Sequence, residues 1–296
     1  MKKVNVVYLV FGEELRNHIQ AHFSILSFLV QKEYIGCIYI VTDAPRYYRN
    51  LSEAIKVVEV SAQDLNEWKG EYDFFWRVKI KAIESVSKMC KGEHVLYVDS
   101  DTFLYGNLAS VVDDLDKGYH FMHLNEGNLF RLKSKTEKKM WRQLKNKKMS
   151  SIQISQQHCM WNAGVVAISG SDCDQVLNQA LSICDAMLKE NVVRRLVEQF
   201  AFSVALTETH KILPADKCIG HYWGNKPQWN NYIADFFIRS SLLNKSMQDR
   251  IEQIRTMDFS KIPIYIKIPS RRYSFERLLI KLFPPRYKKF IDSSLK

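Results

Sequence analysis

The sequence predicts a three-layer α/β fold with a mixed, mainly parallel central sheet and a basic helical C-terminal tail. Strand-length apolar runs alternate with stretches of helical spacing from Val4 to Leu206, the order that lays helices on both faces of a sheet. Val95-Leu96-Tyr97-Val98 is apolar without alternation, as expected of a strand covered on both faces. Residues 267–296 hold nine Lys/Arg against two acids, which sets the end of the chain apart from its body.

The elements follow in order. Residues 4–10 form the first strand. Residues 14–30 form a helix with Ile19, Phe23, Leu26 and Val30 on one face. Strands are expected over 37–41, which closes in Thr42-Asp43-Ala44-Pro45, and over 56–60. Residues 74–89 place Phe75, Val78, Ala82, Ile83 and Val86 at helical spacing. After the strand before Asp99 come a short segment at 108–115 and a strand at 119–124. Residues 160–168 read as one further strand, and 174–190 and 193–206 read as helices. Neither an internal repeat nor a Gly/Ser-rich linker divides the chain. Residues 1–230 are therefore expected as one domain, followed by a helical extension over 231–296.

At 296 residues, 46% hydrophobic and 25% charged, the chain has the composition of a globule able to bury a large core. The opening apolar run is strand length and lacks a small-residue cleavage site, so no secretory signal is expected. Six scattered cysteines contain no C-x-x-C pair. This argues against a zinc site or disulfide framework and for a reducing, cytoplasmic compartment. The net charge of +11 is concentrated, because residues 131–150 hold nine Lys/Arg and one Glu and leave the body mildly acidic once the tail is also set aside. That favours local contact with an anionic surface over a nucleic-acid groove.

Asp99-Ser100-Asp101 follows the buried strand directly. In open α/β sheets ligands bind outside the carboxyl ends of strands, and paired carboxylates there suit a divalent cation. Asp114-Leu115-Asp116 and Asp172-Cys173-Asp174 share the pattern without the strand. Three other segments bear on the site. Trp161-Asn162-Ala163-Gly164 reads either as the start of a strand or as a place where Gly164 admits a ligand and Asn162 bonds it. Glu198-Gln199 reads either as a solvated helix face or as a polar pair beside a buried stretch. In His221-Tyr222-Trp223-Gly224-Asn225-Lys226-Pro227 the histidine is either structural or a third ligand, which would favour manganese over magnesium. Lys226 could then hold a diphosphate as a point charge.

In this order, these motifs resemble GT-A glycosyltransferases, and most closely glycosyltransferase family 8, which includes lipopolysaccharide galactosyl- and glucosyltransferases and glycogenins. The resemblance spans roughly residues 4–230. It implies Mn²⁺ (Mg²⁺ as the alternative) on Asp99, Asp101 and His221, bridging the diphosphate of a UDP-sugar. It implies phosphate contacts from Lys226 and the backbone near Gly224, and a uridine pocket at Val10, Phe11 and Gly12 with Asp43 beside them. Arg77 and Lys81 would reach the donor, as would Ser100, Ala163 and Gly164, while Asn162 and Gln199 would face the transferred sugar. Glu198-Gln199-Phe200 stands where the family carries Asp-Gln-Asp. The first-strand loop also lacks the family's Ala-rich, Asp-containing sequence. The implied activity is hexosyl transfer, with Gln199 fitting a retaining course and Glu198 the runner-up base. A sugar-phosphate nucleotidyltransferase is the rival enzyme, but Phe11-Gly12-Glu13-Glu14 is acidic where a basic phosphate loop would stand. A non-catalytic nucleotide-sugar binder is the second rival.

The tail places Phe275, Leu278, Leu279 and Leu282 on one helical face among Arg271, Arg272, Lys281, Arg286, Lys288 and Lys289. A cationic amphipathic helix of this kind lies on anionic lipid, so a peripheral enzyme acting on a glycolipid acceptor is expected. The 131–150 segment reads as a lid, a second lipid contact or a solvated helix.

Overall fold

The computed structural model describes residues 2–266 together with Leu278 and Leu282. The expected amphipathic tail otherwise lies outside the described residues. The first strands and helices are β1 (Val4–Leu9), α1 (Leu15–Leu29), β2 (Ile35–Thr42), β3 (Lys56–Glu59), α2 (Ala62–Trp68), α3 (Arg77–Met89) and β4 (His94–Val98). Next come β5 (Thr102–Leu104), α4 (Leu108–Asp116), β6 (His120–Met122), β7 (Asn125–Asn128), α5 (Lys135–Leu144), β8 (Lys148–Met149) and β9 (Ile152–Gln153). The chain continues through β10 (Cys159–Trp161), β11 (Val165–Ile168), α6 (Cys173–Lys189), α7 (Val197–Thr209), β12 (Ile212–Pro214), β13 (Ile219–His221), α8 (Lys226–Leu242) and α9 (Met247–Arg255).

Seven strands form one sheet in the order β12-β6-β11-β4-β1-β2-β3. All neighbours are parallel except β11, which runs against both β4 and β6. The expected mixed, mainly parallel α/β architecture is what the chain adopts. One apolar core lies between the sheet and α3, α6 and α7, and another between the sheet and α1 and α4. A third joins α1, β5, α8 and α9 around Phe103 and Trp229, and the boundary expected at residue 230 falls within α8. All five β4 residues are buried. Because β1 pairs with β2 on one side and β4 on the other, the sheet order reverses at their carboxyl ends, where α/β sheets open a crevice.

Two expectations change. Residues 160–168 are two strands rather than one, because the Asn162 side chain accepts the Gly164 N–H at 3.0 Å and turns the chain between them. The 193–206 helix begins only at Val197, after a short 3-10 turn at Arg194–Leu196. The 108–115 segment is helix α4, capped by Asn107 accepting the Ala109 N–H. All six cysteines are free. Among the described residues no helix is long and apolar enough to cross a membrane.

Candidate active site

Three backbone pairings assemble the site. Asp99 N–H donates to Gly164 O at 2.8 Å and draws the Asn162–Gly164 turn against the end of β4. β5 pairs with β13 so that His221 stands opposite Thr102, and Tyr222 N–H donates to Asp101 O at 3.1 Å. One ligand atom from each of Asp99, Asp101 and His221 then lies within 4.8 Å of the others.

The hydrogen bonds assign the histidine tautomer. Asn162 presents an oxygen to the Gly164 N–H, since only an acceptor suits that place. The same Oδ1 lies 3.2 Å from His221 Nδ1, so Nδ1 carries the hydrogen and donates. In the neutral ring Nε2 is then a bare lone pair, facing Asp101 Oδ1 at 3.5 Å and Asp99 Oδ2 at 4.0 Å. Acceptors converging without a hydrogen between them call for a cation, and a histidine oriented through its other nitrogen is the usual companion of a metal. Two carboxylates and one imidazole fit manganese or another borderline divalent ion.

Two lysines offset part of the acid charge. Lys226 Nζ sits 3.0 Å from Asp101 Oδ2. Burial opposes the Asp101 carboxylate, but the His221 ring in its charged form, together with Lys226, outweighs it and holds the group well below the usual carboxylate range. Lys79, which the sequence reading passed over, is buried between Asp99 Oδ1 at 3.3 Å and Glu198 Oε1 at 3.2 Å. It also donates to Ala163 O at 3.2 Å and lies over the Tyr97 ring. Burial disfavours its ammonium, but Asp99 and Glu198 prevail and keep it protonated. Glu198, only 6% exposed, has its carboxyl pushed up by burial against the pull of Lys79. Three acids against two lysines leave a negative balance for a cation to meet.

The cleft has two lobes divided by the acid pair. One, of about 270 Å³, is walled by Val10, Phe11, Phe75, Trp76 and Ser100. The other, of about 240 Å³, is walled by Asn162, Ala163, Gly164, Arg195, Gln199 and Trp223. Trp76, Lys79, Asp99, Asp101 and Lys226 face both. Glu126, also missed, reaches into the second lobe's wall, where its two oxygens accept Asn162 Nδ2 at 3.4 Å and Gln199 Nε2 at 3.1 Å.

Several expected residues lie differently. Gly164 is bare because a Cβ there would collide with the His221 ring, so its missing side chain makes room for a ligand residue rather than for a bound molecule. The space over Gly224 is taken by Tyr265, and its carbonyl accepts the Ile266 N–H. Gly12 has φ +79° and donates its N–H to Asp43 Oδ1 at 2.9 Å, which links those two beside the first lobe. Arg77 does not reach the cleft. Its guanidinium grips Asp185 at 2.8 and 3.1 Å and ties α3 to α6. Lys81 pairs with Glu84 on its own helix.

No protein-family model and no curated relative matches the sequence. Among solved structures the chain is similar to mouse xyloside xylosyltransferase 1 in its apo form, at 9% identity over 72% of this chain and 84% of that one, with a TM-score of 0.46. It is similar to galactosyltransferase LgtC in complex with donor and acceptor sugar analogues, at 13% identity over 86% and 98%, with a TM-score of 0.49. An active-site mutant of LgtC gives 14% identity over 71% and 72%, with a TM-score of 0.44.

Proposed function

We propose that the chain is a metal-dependent glycosyltransferase that moves a hexose from a UDP-sugar to a glycan acceptor. We further propose that the acceptor is a lipid-linked surface polysaccharide or lipooligosaccharide, reached at the cytoplasmic face of a membrane. The observation that carries the reading is the bare Nε2 of His221 aimed at Asp99 and Asp101, set between one lobe walled largely by aromatic rings and one that holds the amides of Asn162 and Gln199. Mn²⁺ held there, or Mg²⁺ in its place, would neutralise charge growing on a departing diphosphate.

The protein's own groups supply the rest. Phe75 and Trp76, 42% and 48% exposed beside Phe11, suit the flat face of a uracil ring. Lys226 can exchange Asp101 for a diphosphate oxygen, and it is in place before charge develops, so little reorganisation is required. Asn162 and Gln199 offer hydrogen bonds to sugar hydroxyls. Glu198 is buried and held by Lys79, so it is poorly disposed to deprotonate an acceptor. Gln199, with its Nε2 committed to Glu126, presents its oxygen as the polar group a retaining transfer needs. This favours retention.

The test measures UDP release from a panel of UDP-hexoses by chelated protein, with and without added Mn²⁺. Turnover of at least one donor is expected only with metal, and Asp101→Asn should lower it about 100-fold. Metal-independent behaviour across the panel would overturn the reading. Metal-dependent binding of a UDP-hexose with no UDP release from wild type would instead identify a nucleotide-sugar binder without turnover.

A further inference from the structure

The segment 131–150 folds into a shape that its charge does not require. Helix α5 opens with a capping box in which Ser134 and Glu137 exchange hydrogen bonds, so the segment's one acid is spent on the helix end. Met140 and Leu144 are fully buried in the body. Gln143 is clamped to the α6–α7 connection, donating to Asn191 O and accepting from Val193 N–H. Everything that could anchor the helix therefore faces inward. All nine cations of the segment, seven Lys and two Arg, face solvent. Among the described residues only Lys147 has a carboxylate partner, Glu190 at 2.7 Å.

Lys135, Lys138, Lys139 and Arg142 lie at three- and four-residue spacing on one exposed stripe. Like charges so placed destabilise a helix. The stripe thus works against the fold and asks for an anionic partner. We infer that α5 is a docking surface for anionic lipid headgroups. This rests on the glycolipid reading above only for its purpose.

The chemistry favours a lipid surface over nucleic acid. Lysine is a hydrated point charge suited to a diffuse negative plane, whereas arginine forks serve bidentate recognition. No aromatic side chain of the segment is exposed, so the stacking platform of a single-strand binder is missing. With its apolar residues buried in the body, α5 does not insert. It rests on the headgroups by charge alone, and its grip must fall steeply with salt. Its position suits an enzyme whose acceptor is lipid-linked. The chain runs from Glu126, which holds Asn162 and Gln199, through the turn at Leu129–Arg131 into α5. Glu137 in the first turn is near enough for its charge to act on Glu126.

The experiment uses the full chain, without donor or acceptor, so its outcome is independent of glycosyl transfer. Wild type and the variant carrying Lys135→Gln, Lys138→Gln, Lys139→Gln and Arg142→Gln are floated with phosphatidylcholine vesicles containing or lacking about 30% phosphatidylglycerol, which supplies an anionic surface. Wild type should bind only the anionic vesicles. The variant's partition should fall at least ~10-fold at low salt and show a shallower salt dependence, while its melting temperature stays level or rises. Any tail contribution is common to both proteins and cancels. Equal partition of the two proteins, binding of neutral vesicles alone, or preference for duplex RNA over anionic vesicles at equal salt would each overturn the inference.

Discussion

A Cβ on Gly164 would fall inside the His221 imidazole, and the ring can retreat only by giving up the Asn162 Oδ1 bond that fixes its tautomer. Gly164→Ala should therefore weaken Mn²⁺ binding ~10–100-fold, read by calorimetry, with only a small change in urea midpoint. Unaltered affinity would mean that His221 is not a ligand. Glu126 acts one step further out. Its carboxylate can only accept, so it turns the NH₂ of both Asn162 and Gln199 toward itself. In Glu126→Gln that constraint is lost, Asn162 can flip, and His221 can take the other tautomer. The ¹⁵N shifts of His221 should then report a mixed population, and metal affinity should fall. A ring that keeps its Nδ1–H signature would assign the control to Gly164 alone. Of these residues, Asp99, Asp101, Asn162 and His221 are legible in the sequence because each sits in a short dense motif. Glu126 is not, since its strand is short and polar and only folding carries it to Asn162. Lys79 left a faint signal: it falls in register with Ile83 and Val86 on the apolar face of α3. Arg77 and Lys81, which the resemblance implies at the donor, stand one turn apart on the face of α3 that meets Asp185 of α6 and carries Glu84.

At the scale of elements, the short β5–β13 pair is as important to the site as any long strand, because it carries His221 to the end of β4. Its backbone approach depends on Gly220, whose Cβ would enter the Phe103 ring. That ring stacks on Trp229 at 4.7 Å and Phe259 at 4.4 Å, within the cluster that ties α8 and α9 to α1. Gly220→Ala is thus an overpacking change, expected to cost about 1–3 kcal/mol in urea denaturation and to loosen metal binding with it. Gly164→Ala should impair binding without that loss, and equal destabilisation by both would refute the distinction. The long elements were legible from periodicity: the strand before Asp99 and the helices α1, α3 and α6 fall within a few residues of their expected ends. Three-residue strands such as β5 and β13 hold too few side chains to show a period. Their pairing is a long-range event that no local pattern records. The same limit merged β10 and β11 into one expected strand, since the turn between them is made by a side-chain hydrogen bond from Gly164 to Asn162.

For the molecule as a whole, acid stability is set by histidines that the fold buries without a charge. His120 is fully buried on β6. Its Nδ1 accepts the Ser169 N–H, so in the neutral ring Nε2 bears the hydrogen, 3.6 Å from Asp172 Oδ2. Burial pulls its pKa down to about 4, against the attraction of Asp172 and with help from His210. His22 is likewise lowered to about 4, chiefly by burial. In the unfolded chain these rings titrate near 6.5. Between the two values the unfolded state binds more protons, so folding stability rises with pH. The full contribution is present above pH 6.5 and is lost as pH falls toward 4. For His120 that loss amounts to about 3 kcal/mol. The low-lying Asp101 carboxylate acts in the same direction but only at far lower pH, because its folded-state proton affinity is reduced. Urea denaturation of metal-free protein at pH 7.5 and 4.5 should therefore show a large drop for wild type. His120→Gln keeps a side chain that can meet both Ser169 and Asp172 yet cannot take up the proton. It should flatten the dependence by roughly the part of the His120 share realised by pH 4.5, about 2.5 kcal/mol, whatever its own stability at neutral pH. An unchanged slope would assign the acid sensitivity to other groups and show that the Asp172 carboxylate stabilises a charged His120 inside the fold.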